Sequence, residues 1–85
     1  MGANAQSVKL AVLLDKETAF KQRGFVTECR PTGGVVIDRW GHVRGVWHFT
    51  GKCFFWTPAG NNVPIYRTDT VEDAVRYTLD VIGKT

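Results

Sequence analysis

The chain has little cysteine and no long apolar run, and each shortage narrows what it can be. Two cysteines, Cys29 and Cys53, among 85 residues are too few for the disulfide framework that staples small secreted domains. They fit reduced thiols inside a cell, and a Cys29–Cys53 disulfide would require export. The stretch Val8 to Leu14 is apolar but contains Lys9, and it falls far short of the roughly 18–20 residues that span a bilayer. It also lacks the basic flank and small-residue cleavage site of a secretory signal. The opening Met-Gly is followed by Gln6 where a myristoylation signal carries Ser or Thr. These absences predict a cytoplasmic protein with no membrane attachment.

The chain is not acidic. Eleven Lys and Arg against eight Asp and Glu leave a formal charge of +3, with a pI near 9.1. Such a mild excess permits an anionic partner without requiring one. A hydrophobic fraction of 44% and an aromatic fraction of 12% exclude a disordered tail. Repeats, linkers and low-complexity tracts are missing as well. A chain of this length buries only about 60–65% of the surface its unfolded form exposes, so its apolar residues serve one core. The expectation is a single small domain over residues 1–85, with residues 1–6 loose.

The pattern along the chain predicts an α+β fold: an N-terminal helix, an antiparallel sheet of 3–5 strands, and a C-terminal helix packed on one face. Leu10, Leu13, Leu14, Glu17 and Phe20 fall on one stripe, which favours a single helix from Ala5 to Arg23, with Ser7 as a candidate cap and Gly24 as its stop. The rival reading is a strand over Val8 to Leu14, then a short helix capped by Asp15. From Phe25 to Thr68, β-branched and aromatic residues dominate and glycines recur at short intervals. The runs "FVTEC", "GVVIDRW", "HVRGVWHF", "KCFFWT" and "VPIYRT" read as strands. Two-residue loops at Trp40-Gly41 and Thr50-Gly51 suit tight hairpins. Pro64 cannot donate to a ladder, so the last strand either sits at an edge or begins there. Thr70, followed by Glu72 and Asp73, caps a helix that Gly83 ends.

Those two loops assign the strands to faces, because side chains alternate across a sheet. Asp38 would oppose Val43, and Trp47 would oppose Phe54. One face would carry Val36, Asp38, Val43, Trp47, Phe49, Lys52, Phe54 and Trp56 and meet the helices. The other would carry Val35, Ile37, Arg39, His42, Arg44, Val46, His48, Cys53, Phe55 and Thr57, and would stay open.

Recognisable catalytic signatures are also missing. There is no phosphate-binding glycine loop, no dinucleotide fingerprint and no HExxH. The carboxylates show no paired spacing. Cys29, His42, His48 and Cys53 hold the ligand types of a structural zinc site, but their spacing lacks a close Cys-x-x-Cys knuckle. A His48–Cys53 nucleophile pair has no third residue to orient it. The sequence therefore predicts a protein that is not an enzyme and holds neither metal nor cofactor.

Residues 44–77 carry "RGV" (Arg44-Gly45-Val46), "GK" (Gly51-Lys52) and "DTVEDA" from Asp69 to Ala74. This stretch resembles the plant ethylene-response-factor type of DNA-binding domain. The resemblance implies a three-stranded sheet backed by a helix and lying in the major groove, with Arg44 and Lys52 at contact positions. "VPIYRTDTVEDA" is also similar to the strand-to-helix stretch of a small podophage inhibitor of bacterial RNA polymerase, which implies a protein partner.

Two functions follow as expectations. The first is a nucleic-acid-binding module, for DNA or RNA, that uses the basic face of its sheet. Arg39, Arg44, His48, Lys52 and Arg67 would meet phosphates, and Phe55 would stack. The second is a protein-interaction or inhibitor domain of the kind phages and mobile elements encode, docking on a host or partner protein by a sheet edge or an aromatic patch.

Overall fold

Tight turns organise the sheet. Trp40 and Gly41 both take positive φ, 53° and 83°, the conformation a type I′ loop requires at its two central residues. They join β2 (Gly34–Arg39) to β3 (His42–Thr50). Gly51, at φ 64°, and Lys52 form the next loop, and they join β3 to β4 (Cys53–Pro58). The outer strands are β1 (Phe25–Cys29) and β5 (Tyr66–Thr68). All five form one antiparallel meander in the order β1-β2-β3-β4-β5. As expected, β5 lies at an edge; it is shorter than expected, because pairing begins only after Pro64, where the Ile65 N–H donates to the Trp56 carbonyl at 2.9 Å. This computed structural model describes residues 5–31 and 33–84.

The single N-terminal helix expected over Ala5–Arg23 is two helices. The first is α1 (Ala5–Asp15) and the second is α2 (Thr18–Gln22). Between them Glu17, the polar interruption of the apolar stripe, takes extended angles (φ −84°, ψ 104°). The break lets Phe20 leave the line of α1 and stack on Phe25, with ring centroids 4.8 Å apart. Ser7, the candidate cap, lies buried within α1 and donates its hydroxyl to the Gly33 carbonyl. Ala5 and Gln6, expected to be loose, open α1; residues 1–4 lie outside the described residues. The C-terminal helix, α3 (Val71–Asp80), starts as expected, with the Thr70 hydroxyl accepting from the Asp73 N–H at 3.1 Å. It ends before Gly83, and residues Ile82–Lys84 continue as a 3₁₀ turn that buries Ile82.

All three helices lie on one side of the sheet, and the core fills the space between the layers. Leu10, Leu14, Phe20, Phe25, Val35, Ile37, Phe54, Trp56, Ala74 and Ile82 surround the fully buried Trp47. The Trp47 ring meets Phe54, Trp56, Tyr66 and Tyr77 at centroid distances of 6.3, 5.4, 6.3 and 5.9 Å. Its N–H donates to the Thr78 hydroxyl at 2.9 Å, and that hydroxyl donates to the Ala74 carbonyl at 2.8 Å. A buried indole N–H without a partner is costly, so this bond sets the height of α3 over the sheet.

The second hairpin keeps the expected faces even though its register differs. The loop is Gly51-Lys52, so Trp47 opposes Trp56 and His48 opposes Phe55. The change moves each partner by two places, and parity survives. The first hairpin does not keep its faces. Asp38 opposes Val43 as expected, but Ile37 opposes Gly45, which leaves Arg44 as an extra residue in β3. This β-bulge switches the parity of everything beyond it. Val35 and Ile37 therefore belong to the core, while Val36, Asp38 and Val43 belong to the other face. Gly45 permits the bulge, because a Cβ there would come within 2.6 Å of the Thr57 carbonyl oxygen.

Tyr66 and Tyr77 stack at 3.9 Å, and the Tyr66 hydroxyl donates to the Asp73 carboxylate, tying β5 to α3. That bond, with help from Thr68, holds the Asp73 carboxyl below the usual aspartate range. The same bond, reinforced by desolvation, raises the Tyr66 phenol.

Two measurements check this packing. Thr78→Val should destabilise the fold by about 1–3 kcal/mol in chemical denaturation, because it strands the Trp47 N–H, and Thr78→Ser should recover most of the loss. The stability difference between wild type and Tyr66→Phe should be constant near neutral pH. It should shrink below about pH 4, as Asp73 protonates through its lowered value, and again above about pH 10, as Tyr66 ionises. A difference that is flat across this range would dissociate the bond from stability.

Candidate functional site

The helices leave one face of the sheet open, and the pairings lay its side chains out in cross-strand rows. Val26, Asp38 and Val43 form the row nearest the Trp40 turn. Glu28, Val36, Val46 and Thr57 form the next. Gly34, His48, Phe55 and Arg67 form the third. Thr50 and Cys53 close the face beside the Gly51-Lys52 loop.

This layout brings together three of the six residues singled out from the sequence. His48, Phe55 and Arg67 are direct cross-strand neighbours, with the ring at the centre and His48 and Arg67 exposed on either side. Gly34 keeps the row flat at its inner end, where a Cβ would press within 3.3 Å of Val46 and 3.5 Å of the His48 ring. Lys52 is exposed in the adjoining loop rather than in a strand. Arg67 separates two clefts. One, of about 210 Å³, is lined by Phe55, Pro64, Ile65, Tyr66 and Arg67. The other, of about 380 Å³, is lined by Cys53, Arg67, Thr68 and Asp69.

Arg39 and Arg44 do not join them; their expected place on the open face is corrected by the bulge and by packing. Arg39 follows Ile37 on the helix side, opposite Phe25. Its guanidinium lies 4.9 Å from the Phe25 ring centroid, and its Nε donates to the Arg23 carbonyl at 2.8 Å. Arg44, at the bulge, lines a cleft of about 150 Å³ on the helix side with Trp56, Pro58, Ile65, Tyr77, Val81 and Ile82. The open face also carries carboxylates, Glu28 and Asp38, and Asp38 accepts from the Gly41 N–H at 2.9 Å.

The four possible zinc ligands are divided between the faces. Cys29 opposes the core residue Val35, and burial, with Asp15 nearby, raises its thiol pKa. His48 and Cys53 lie on the open side. Among the described residues no three of His, Cys, Asp or Glu gather as a metal group, and no helix is long and apolar enough to cross a membrane.

In the sequence Trp40 reads as the end of the strand "GVVIDRW" and as half of the Trp40-Gly41 turn, with no functional role. It is the most exposed large apolar residue described, at 70%, and it holds positive φ without being glycine. The available signal was a tryptophan at the first position of a two-residue loop, where Asn, Asp or Gly is the usual choice.

Residues 44–77, which carry the likeness described above, form β3, β4, β5 and α3, and two further strands extend the sheet beyond β3. No protein-family model matches the chain, and neither a curated protein nor a solved structure is found to be similar to it.

The division between packed and presented cations has a measurable consequence. Arg39→Ala should destabilise the fold by about 1 kcal/mol, through lost ring contact and an unsatisfied carbonyl. Arg67→Ala should change stability by less than about 0.5 kcal/mol. Denaturant titrations giving equal losses would erase the distinction.

Proposed function

We propose that this protein is a small non-enzymatic module that binds single-stranded nucleic acid across the open face of its sheet. The observation that carries the reading is the row His48–Phe55–Arg67, an aromatic ring flanked by two exposed basic side chains on an uncovered antiparallel sheet. Aromatic side chains on an open sheet face stack unpaired bases, and neighbouring cations meet the phosphates. Here Phe55 is the stacking ring. Arg67 and Lys52 supply the fixed positive charge, and His48 adds hydrogen-bonding capacity.

Width favours a single strand over a duplex. Five strands spaced about 4.8 Å apart span roughly 20 Å, and the major groove is about 12 Å wide. A strand with splayed bases lies across such a face without entering a groove. A protein partner is the second reading. Its support is the row nearest the Trp40 turn, where Val26 and Val43 are 52% and 48% exposed; apolar positions of this kind suit a protein contact.

Titration of a thymidine or uridine 12-mer against salt tests both. With Arg67 and Lys52 as the phosphate contacts, log K should fall against log salt with a slope of about −1.4. Arg67→Ala should halve that slope, and Phe55→Ala should weaken binding about tenfold at fixed salt. Failure of the wild type to retain either oligomer at low salt, or wild-type binding by both variants, ends the nucleic-acid reading. Loss of binding to a purified protein partner on Val26→Glu/Val43→Glu, with the oligomers ignored, would establish the second.

A further inference from the structure

Trp40 combines two unfavourable features. A bulky side chain in the left-handed region is strained, by roughly 1–2 kcal/mol relative to the right-handed form. At 70% exposure its indole also forgoes most of the burial that a small protein needs. An Asn-Gly loop would make the same turn without either penalty. Strain that the surroundings hold in place is a pointer to function.

The surroundings do hold it. The Arg39 guanidinium lies 4.1 Å from the Trp40 ring centroid. Gly24, at φ 88°, lies against the indole so closely that a Cβ there would collide with it. The Trp40 backbone N–H donates to the Gly24 carbonyl at 3.4 Å, which ties the loop to that segment. The ring is thus braced by its neighbours yet remains mostly in solvent. Of the cations on the neighbouring segments, Arg39 lies beside the ring, Lys21 is exposed on the segment leading to Gly24, and Arg23 on that segment is committed to the Gly83 carbonyl at 2.6 Å. The exposed His42 follows the loop, and the neighbouring Asp38 is engaged with the Gly41 N–H.

We infer that Trp40 is a second, preorganised stacking platform for an unpaired nucleobase, with the Arg39 guanidinium beside it favouring the attached phosphate. The inference rests on the nucleic-acid reading and adds a contact outside the Phe55 row, at the opposite end of the sheet. Bracing the ring before binding lowers the ordering entropy lost on contact. It also accounts for a tryptophan where an asparagine would serve the turn better.

The test titrates a thymidine 12-mer and a glutamate-rich peptide of similar charge against wild type, Trp40→Asn, Trp40→Phe and Phe55→Ala. Trp40→Asn should fold with a melting temperature equal to or above that of the wild type and bind the oligomer about tenfold more weakly. Trp40→Phe should retain most of the affinity. Of the three tryptophans, Trp47 and Trp56 are buried, so quenching of tryptophan emission by the oligomer should disappear in Trp40→Phe while binding persists. Weakening in Phe55→Ala but not in Trp40→Asn overturns the Trp40 platform and leaves the proposed function standing. No oligomer binding by the wild type, or none that either residue affects, removes both. Loss of stability in Trp40→Asn would make the ring a structural element. Loss of the peptide but not the oligomer in that variant would assign the ring to an acidic protein partner, and each result would overturn the inference.

Discussion

The hydrogen bond from the Trp47 indole to the Thr78 hydroxyl is the constraint around which the two layers are arranged. Trp47 sits on the middle strand of five, fully buried, and its ring is too large to leave the position of α3 free. Once its N–H is committed to Thr78, Ala74 lies one turn away and Tyr77 stands at the ring's edge. Tyr77 stacks on Tyr66, and Tyr66 bonds Asp73. The short edge strand β5 is thereby held by α3 as well as by its ladder to β4. A small protein with a modest core gains rigidity from such a chain of contacts, because each group that could shift is tied to one that cannot.

The bulge at Arg44 is the second organising feature, and it acts on function through geometry. One extra residue in β3 turns Val35 and Ile37 inward and carries Arg39 to the helix side. Arg39 then shields Phe25 and braces Trp40. A cation expected to face a ligand becomes part of the scaffold, and the surface it supports lies at the hairpin tip. The open face keeps a smaller basic set, centred on Phe55, with carboxylates at its other end. Ring economy leads to the same division. Trp47, Phe54, Trp56, Phe20 and Phe25 are consumed by the core, so a ring left half-open on the uncovered face and another left in solvent stand out against the rest of the molecule.

Much of this architecture was legible in the chain. The alternation of β-branched and aromatic residues, the Trp40-Gly41 loop, the Thr70 cap and the edge position of the last strand depend on neighbouring residues, and local rules recover them. The interruption of α1 was visible as Glu17 in an apolar stripe, but whether a helix bridges one polar residue or breaks there depends on what Phe20 can pack against, and Phe25 is supplied by a different element. The same applies to Ser7, whose partner is the Gly33 carbonyl across the β1–β2 turn.

By itself, then, the sequence determined the order and kind of the elements and the burial of Trp47, Phe54 and Trp56, because period and turn chemistry are properties of adjacent residues. It also placed His48, Phe55 and Arg67 among the residues of interest. Only the tertiary structure decided which of the basic residues share a surface. A single unpaired residue between Val43 and Gly45 inverts parity over the rest of β2, and its presence is set by the close approach of Gly45 to Thr57 and Trp56 on the next strand. That contact is made across the sheet, between positions more than ten residues apart, where no local pattern reaches.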